Sequence, residues 1–160
     1  MKKIILKTPV EVYTSEKELT KKDQQLIKKA KKALKDSWSP YSGFQVGAAL
    51  LLKNGKMIQG SNQENAAYPL CLCAERVAIA AADSVYPGVP IIAIAITAKS
   101  LNQVVDSPVS PCGACRQVIC ETEGKHQSPM RIILQGETGK VYVLSSGNDL
   151  LPLSFDGSRL

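Results

Sequence analysis

Cys73-Ala74-Glu75, opening the run AERVAIAAADSV, and Pro111-Cys112-Gly113-Ala114-Cys115, opening GACRQVICE, are the two stretches that decide how this chain folds. Together they supply three thiols with metal-ligand spacing and one carboxylate that is not needed as a ligand. A structural zinc is closed by four protein ligands, whereas a catalytic zinc takes three and leaves its fourth position to a water whose pKa the metal lowers to about 7. Residues two apart on a regular helix point to nearly opposite sides, so Cys73 and Glu75 serve one site only if a helix begins between them. Cys112 and Cys115, three apart, share one face of a first turn, and Pro111 stands just ahead, where its missing N–H costs nothing. Two helix starts are therefore expected to converge, each with its positive dipole end favouring thiolate.

Around these starts the elements are short. Residues 43–53, Asn54-Gly55 and residues 56–61 read as a β-hairpin with a type I′ turn. Ile91 to Ala98, IIAIAITA, is a continuous apolar run expected of a strand buried on both faces. Met130 to Gln135 and Val141 to Ser145 flank Gly136-Glu137-Thr138-Gly139-Lys140, a connection too short for a parallel crossover, so these two strands should be antiparallel. The expected architecture is a three-layer α/β/α sandwich with a five-stranded mixed sheet and helices on both faces.

At 160 residues and 44% hydrophobic, the chain reads as one domain over 1–160, with a lysine-rich segment and helix at 1–37 and a catalytic body at 38–155. Leu19, Leu26, Ile27, Ala30, Ala33, Leu34 and Trp38 recur at helical spacing, with lysines on the other sides. Residues 1–36 carry the whole net charge of +6 and the remainder is neutral, which points to a solvated helix face rather than to nucleic acid. Five cysteines, an odd number at ligand spacing, argue for a reducing compartment and a metal rather than disulfides. Ile4-Ile5-Leu6 is too short for a signal peptide and no run is long enough to span a membrane, so a cytoplasmic protein is expected. Ser158-Arg159-Leu160 loosely matches a peroxisomal address but reads better as an ordinary polar tail.

The C-x-E and P-C-x-x-C pair is the signature of the zinc nucleobase deaminases. From YSGFQVGAALLLKNG through NQENAAYPLCLCAERVAI and SPCGACRQV to LLPLSF, the chain resembles the small, homotetrameric zinc cytidine deaminases, with their motifs in order from about Trp38 to Phe155. The resemblance implies hydrolytic deamination of cytidine and 2′-deoxycytidine to the uridines, in pyrimidine salvage, with one zinc per subunit. It further implies that Cys73, Cys112 and Cys115 bind zinc and that Glu75 is the general acid/base. Phe44 would pack beside the nucleoside, and Asn62 and Glu64 would hydrogen-bond the ribose 3′-hydroxyl. The N–H of Ala74 would hold the base O2 and the carbonyl of Ser110 would face the amino group. Phe155 would reach a neighbouring subunit's pocket, with Tyr68 near the same interface.

The expected chemistry is attack of zinc-bound hydroxide at C4, with Glu75 carrying one proton to ring N3 and a second to the leaving amine. Three thiolates leave the metal core anionic, and Arg76 is expected to withdraw charge by donating to a ligand thiolate; Arg116 is a weaker candidate for the same task. His126, in EGKHQSP, reads as an exposed loop residue, and Cys71 and Cys120 as packing residues. Three rival functions remain: a polynucleotide cytosine deaminase, a deaminase of a cytosine-containing antibiotic nucleoside, and a closed four-thiolate structural zinc module using Cys71. A carboxylate at a 3′-hydroxyl would repel a phosphodiester, and a closed module has no use for Glu75.

Overall fold

The computed structural model describes residues 1–157; the tail Ser158-Arg159-Leu160 lies outside the described residues. A mixed sheet is built from β1 (Glu11–Tyr13), β2 (Phe44–Leu52), β3 (Met57–Ser61), β4 (Ile91–Ser100), β5 (Arg131–Gln135) and β6 (Val141–Leu144), in the order β1-β6-β5-β4-β2-β3. The helices are α1 (Lys21–Ala33), α2 (Ala74–Val85) and α3 (Gly113–His126). The sheet therefore has six strands rather than the expected five. The addition is β1, which pairs antiparallel with β6 through Glu11↔Val143, Val12↔Tyr142 and Tyr13↔Val141. Three residues are too few to leave an alternation signal, so the strand was not legible in sequence.

β5 and β6 pair antiparallel as expected, and β4 and β5 pair parallel across α3. The β2–β3 hairpin also forms, but not through a type I′ turn, because at Asn54-Gly55 only Gly55 has positive φ, at 82°. Asn54 instead accepts the Lys56 N–H on its side-chain oxygen at 3.0 Å, while the Gly55 N–H reaches the Leu52 carbonyl at 2.9 Å. A three-residue connection closed by a left-handed glycine results.

Successive residues of β2 enter different cores. Ala48, Leu50 and Leu52 pack with Ala78 and Ile79 of α2 and Ile119 of α3, whereas Ala49 and Leu51 pack with Leu26, Ile27 and Ala30 of α1. This is the period-2 alternation of a strand covered on both sides. The predicted α1 residues are buried except Trp38, which lies beyond the helix and is 60% exposed; its N–H and carbonyl bond instead to the Asn62 carbonyl and the Glu64 N–H. His126 also departs from expectation. It closes α3 rather than standing in a loop, and its side chain is only 6% exposed, with Nε2 3.6 Å from Asp83 on α2. Helix α3 runs on until Gln127 adopts a left-handed conformation, φ 47°, an ending that nothing in EGKHQSP announces.

Two contacts set helix positions. Glu123 of α3, buried, accepts from the N–H groups of Met130 (2.5 Å) and Gly147 (2.9 Å) and from the Ser146 hydroxyl (2.8 Å), tying α3 to β5 and to the segment after β6. Gly60 of β3 lets α2 lie close on the sheet: a Cβ there would stand 2.6 Å from both the Ala74 carbonyl oxygen and the Ala78 nitrogen. Gly60→Ala must push the start of α2 outward. Overpacking of this kind costs about 1–3 kcal/mol, and for a chain of this size the thermal midpoint should fall by about 2–12 °C in a melting experiment. An unchanged midpoint would contradict this packing.

Candidate active site

The starts of α2 and α3 converge as the spacing required. Cys73 is the N-cap of α2, with Ala74 and Glu75 its first two residues; Cys112 is the N-cap of α3 and Cys115 its third residue. Pro111 precedes the cap instead of occupying the first helical position. The sulfurs of Cys73 and Cys112 are 3.8 Å apart, those of Cys112 and Cys115 are 3.6 Å apart, and all three lie within 4.8 Å of one another. A span this small suits a single soft cation.

The thiols are electrostatically unequal. Hydrogen bonding to Cys115, opposed by burial and aided by Cys112 and by the Arg76 guanidinium, lowers Cys73 to about 5. Cys115 is pushed up because it holds its proton toward the Cys73 sulfur in a buried setting. A cation would replace the shared protons, and metal uptake would release them. Cys71 does not join the cluster: its sulfur accepts the Asn65 N–H at 3.2 Å and faces the Asn65 carbonyl at 3.6 Å. Among the described residues the site thus offers three cysteine sulfurs, the number of protein ligands that leaves a metal open to substrate and water.

Glu75 is 4% exposed, and burial, reinforced by the neighbouring Cys73 charge, raises its carboxyl above the usual carboxylate range. Arg76 donates from Nη2 to the Cys71 carbonyl at 2.8 Å. Burial works against its charge, but the Cys73 thiolate more than offsets this, so the guanidinium stays firmly protonated beside the sulfur cluster. Arg116 turns elsewhere. Its Nε reaches the Pro111 carbonyl and its Nη1 the Leu150 carbonyl, both at 2.9 Å, so it braces the ligand turn against the C-terminal segment.

Beside the sulfurs lies a cleft of about 280 Å³ lined by Phe44, Asn62, Glu64, Glu75, Ser110, Cys73 and Cys112. Backbone pairing gathers these distant stretches: Gln63 exchanges both its N–H and carbonyl bonds with Leu72 at 2.9 Å, and the Glu64 N–H reaches the Trp38 carbonyl at 2.8 Å. The Asn62 side chain accepts from the Val46 N–H (2.7 Å) and the Ser37 hydroxyl (2.6 Å) and donates one amide hydrogen to the Phe44 carbonyl (2.9 Å), its second amide hydrogen having no acceptor among the described residues. Glu64 accepts from the Tyr41 N–H at 2.8 Å, from the Ser42 N–H at 3.2 Å and from the Ser42 hydroxyl. The hydroxyl bond, foremost, holds its carboxyl below the usual range. Ala74 is fully buried at the first position of α2.

Two predicted site residues do not line the cleft. Tyr68 is 70% exposed at its rim, edge-on to Tyr41 with ring centroids 6.0 Å apart. Phe155 is 66% exposed; it lines a different cavity with Cys120 and Ser154, and its carbonyl accepts from Gln117 at 2.9 Å. Sequence reasoning missed Tyr41 and Ser42, which hold Glu64. Their motif, YSGF, was in view, but a backbone N–H offered to a distant carboxylate leaves no pattern.

Residues 20–128 match the family described as "Cytidine and deoxycytidylate deaminase zinc-binding region". A cytidine deaminase from Halalkalibacterium halodurans is 43% identical over 132 residues, spanning 82% of this chain and 92% of the relative. The crystal structure of a cytidine deaminase from Burkholderia pseudomallei superposes with a TM-score of 0.72 at 40% identity, covering 86% of this chain and all of that one. That of Mycobacterium tuberculosis gives 0.63 at 31% identity, over 82% and 95% of the two chains. No helix among the described residues is long and apolar enough to cross a membrane.

Proposed function

Because this chain belongs to the cytidine and deoxycytidylate deaminase zinc-binding family, we infer that it hydrolytically deaminates cytidine, releasing ammonia and uridine, with zinc as its cofactor. The observation that carries the reading is the buried carboxyl of Glu75 beside an open set of three thiols. Zinc held by Cys73, Cys112 and Cys115 supplies a Lewis-acidic centre that activates water near neutral pH. Glu75 takes the proton given up by the attacking water and carries it to ring N3, then delivers the second proton to the 4-amino group, which departs as ammonia. Its burial supports this: a carboxyl raised toward neutrality both accepts and releases protons readily. Arg76, held on the Cys71 carbonyl with its charge favouring the Cys73 thiolate, offsets the charge of an anionic ligand set.

The cleft supports the remaining assignments. Phe44 packs against the nucleoside, the spare amide hydrogen of Asn62 and the Glu64 carboxylate hold the ribose 3′-hydroxyl, the Ala74 N–H takes the base O2, and the Ser110 carbonyl accepts from the amino group. Exposed Phe155, which lines a different cavity from the cleft of its own chain, supports a homotetramer in which it serves a neighbouring pocket, with Tyr68 at the same contact. We read the chain as one domain over 1–160, its body at 38–155, with two cores on opposite faces of β2 supporting the three-layer α/β/α arrangement. Deoxycytidine as a second substrate, a place in pyrimidine salvage and a cytoplasmic setting complete the proposal; neither nucleic acid nor membrane is a partner.

Glu64 gives the test of substrate class. A 3′-phosphate would meet its negative charge and remove the hydroxyl that donates to it, leaving a polar pair unmade. In an ultraviolet assay, 3′-CMP and single-stranded oligonucleotides should be poor substrates beside cytidine and deoxycytidine. Deamination of an oligonucleotide as fast as cytidine would overturn the nucleoside reading and favour polynucleotide editing.

A further inference from the structure

The segment 101–111, from the end of β4 to the cap of α3, starts against residues 42 and 43, beside Phe44 of the cleft, and ends with Ser110 in the cleft lining. At its start, the Leu101 N–H reaches the Gly43 carbonyl at 3.0 Å and the Asn102 amide reaches the Ser42 carbonyl at 3.4 Å, next to the turn that Glu64 anchors. At its finish stand Ser110, in the cleft, and Cys112. Its middle rests on the β5–β6 turn. The Val105 side chain is buried, and its carbonyl accepts the N–H groups of Glu137 (2.7 Å) and Thr138 (3.4 Å).

The fit at that seat leaves no room for a side chain. A Cβ on Gly136 would run into the Val105 carbonyl oxygen and lie 2.6 Å from that of Ser107; a Cβ on Gly139, at φ 83°, would run into the Asp106 carbonyl oxygen. From beneath, the Thr97 hydroxyl donates to the Gly136 carbonyl at 2.8 Å, fixing the turn to β4. The obstructing atoms are backbone, so the loop as a whole must move if either glycine gains a methyl group.

We propose that Gly136 and Gly139 are positioning residues for the deamination: the turn they form seats the 101–111 loop, and the seat sets the distance between the Ser110 end and the Glu64 end of the substrate cleft. The glycines touch no substrate and act through the loop alone. The expected signature at the Ser110 end rests on the reading given above for that carbonyl.

A matched control exists within the chain. Gly55 has nearly the same backbone conformation, φ 82°, but a Cβ there would meet nothing within 4 Å. Ala at Gly55 and Ala at Gly139 thus impose the same left-handed strain, and only the second displaces the loop. Val105→Ala supplies an independent variant that loosens the loop without a clash and keeps the test informative should Gly139→Ala fail to fold. The experiment is steady-state kinetics on zinc-loaded full-length enzyme, with uridine as competitive inhibitor and metal content measured in parallel.

Gly139→Ala and Val105→Ala should each raise KM for cytidine by about ten-fold, the size of effect expected when one hydrogen bond that holds the bound substrate is misplaced. Zinc should stay stoichiometric and kcat should change much less, while Gly55→Ala stays within two-fold of the parent. A KM rise larger for cytidine than the rise in the uridine inhibition constant supports both the seat and the Ser110 contact with the amino group. Equal rises support the seat and remove that contact. If Gly139→Ala matches Gly55→Ala, or Val105→Ala leaves KM unchanged, the seat has no role in the reaction.

Discussion

Glu75→Gln should abolish most turnover of cytidine while leaving zinc stoichiometric and the fold intact. The amide preserves the shape of a side chain that is 4% exposed at the second position of α2, and it is not one of the three sulfur ligands. What it removes is the ability to accept and return a proton. General acid/base groups contribute about 10²- to 10⁴-fold, and Glu75 serves both transfers, so a loss at the upper end of that range is expected in kcat. Metal analysis beside the ultraviolet assay distinguishes this from loss of the cofactor. Near-normal turnover by a zinc-replete variant would remove Glu75 from the mechanism.

Cys73→Ser, Cys112→Ser and Cys115→Ser should each lose zinc, activity and much of the stability of the helix starts, because a hydroxyl is a poor substitute for thiolate and metal binding is coupled to folding. Cys71→Ser should retain metal and activity. Its sulfur is engaged with Asn65 and stands outside the cluster, so only a local contact is exchanged. Metal content by mass spectrometry after gel filtration reads all four variants. Zinc lost from Cys71→Ser at the same level would restore a closed four-thiolate site and defeat the three-ligand assignment.

The two helix starts were legible because their spacing is itself geometry. Cys73 and Glu75 can face one ion only at a helix origin, and that is where they stand. The run at Ile91–Ala98 was legible because burial on both faces leaves a stretch of apolar residues broken only by Thr97, and β4 carries it. What escaped depends on partners distant in sequence. Strand β1 exists only through its pairing with β6, and His126 is buried because α3 runs on beside Asp83. Asn54-Gly55 names a hairpin but not its turn type: Asn54 keeps a negative φ and its side-chain oxygen accepts from the Lys56 N–H. Arg116 looked like a companion of the thiolates because it follows Cys115; its length and forked donors take it instead to the carbonyls of Pro111 and Leu150. In the cleft, the residue types of Asn62 and Glu64 were readable, but their bonds to Phe44, Val46, Tyr41 and Ser42 were not.

Hydrolysis of the 4-amino group of cytidine would take place at a zinc held by Cys73, Cys112 and Cys115. The most direct test strips the purified protein with a chelator, returns zinc in steps, and follows cytidine absorbance together with released ammonia. Activity should rise in proportion to bound metal, level off at one zinc per chain, and yield one ammonia for each uridine formed. A protein that binds one zinc per chain through these cysteines and still leaves cytidine intact would contradict the account.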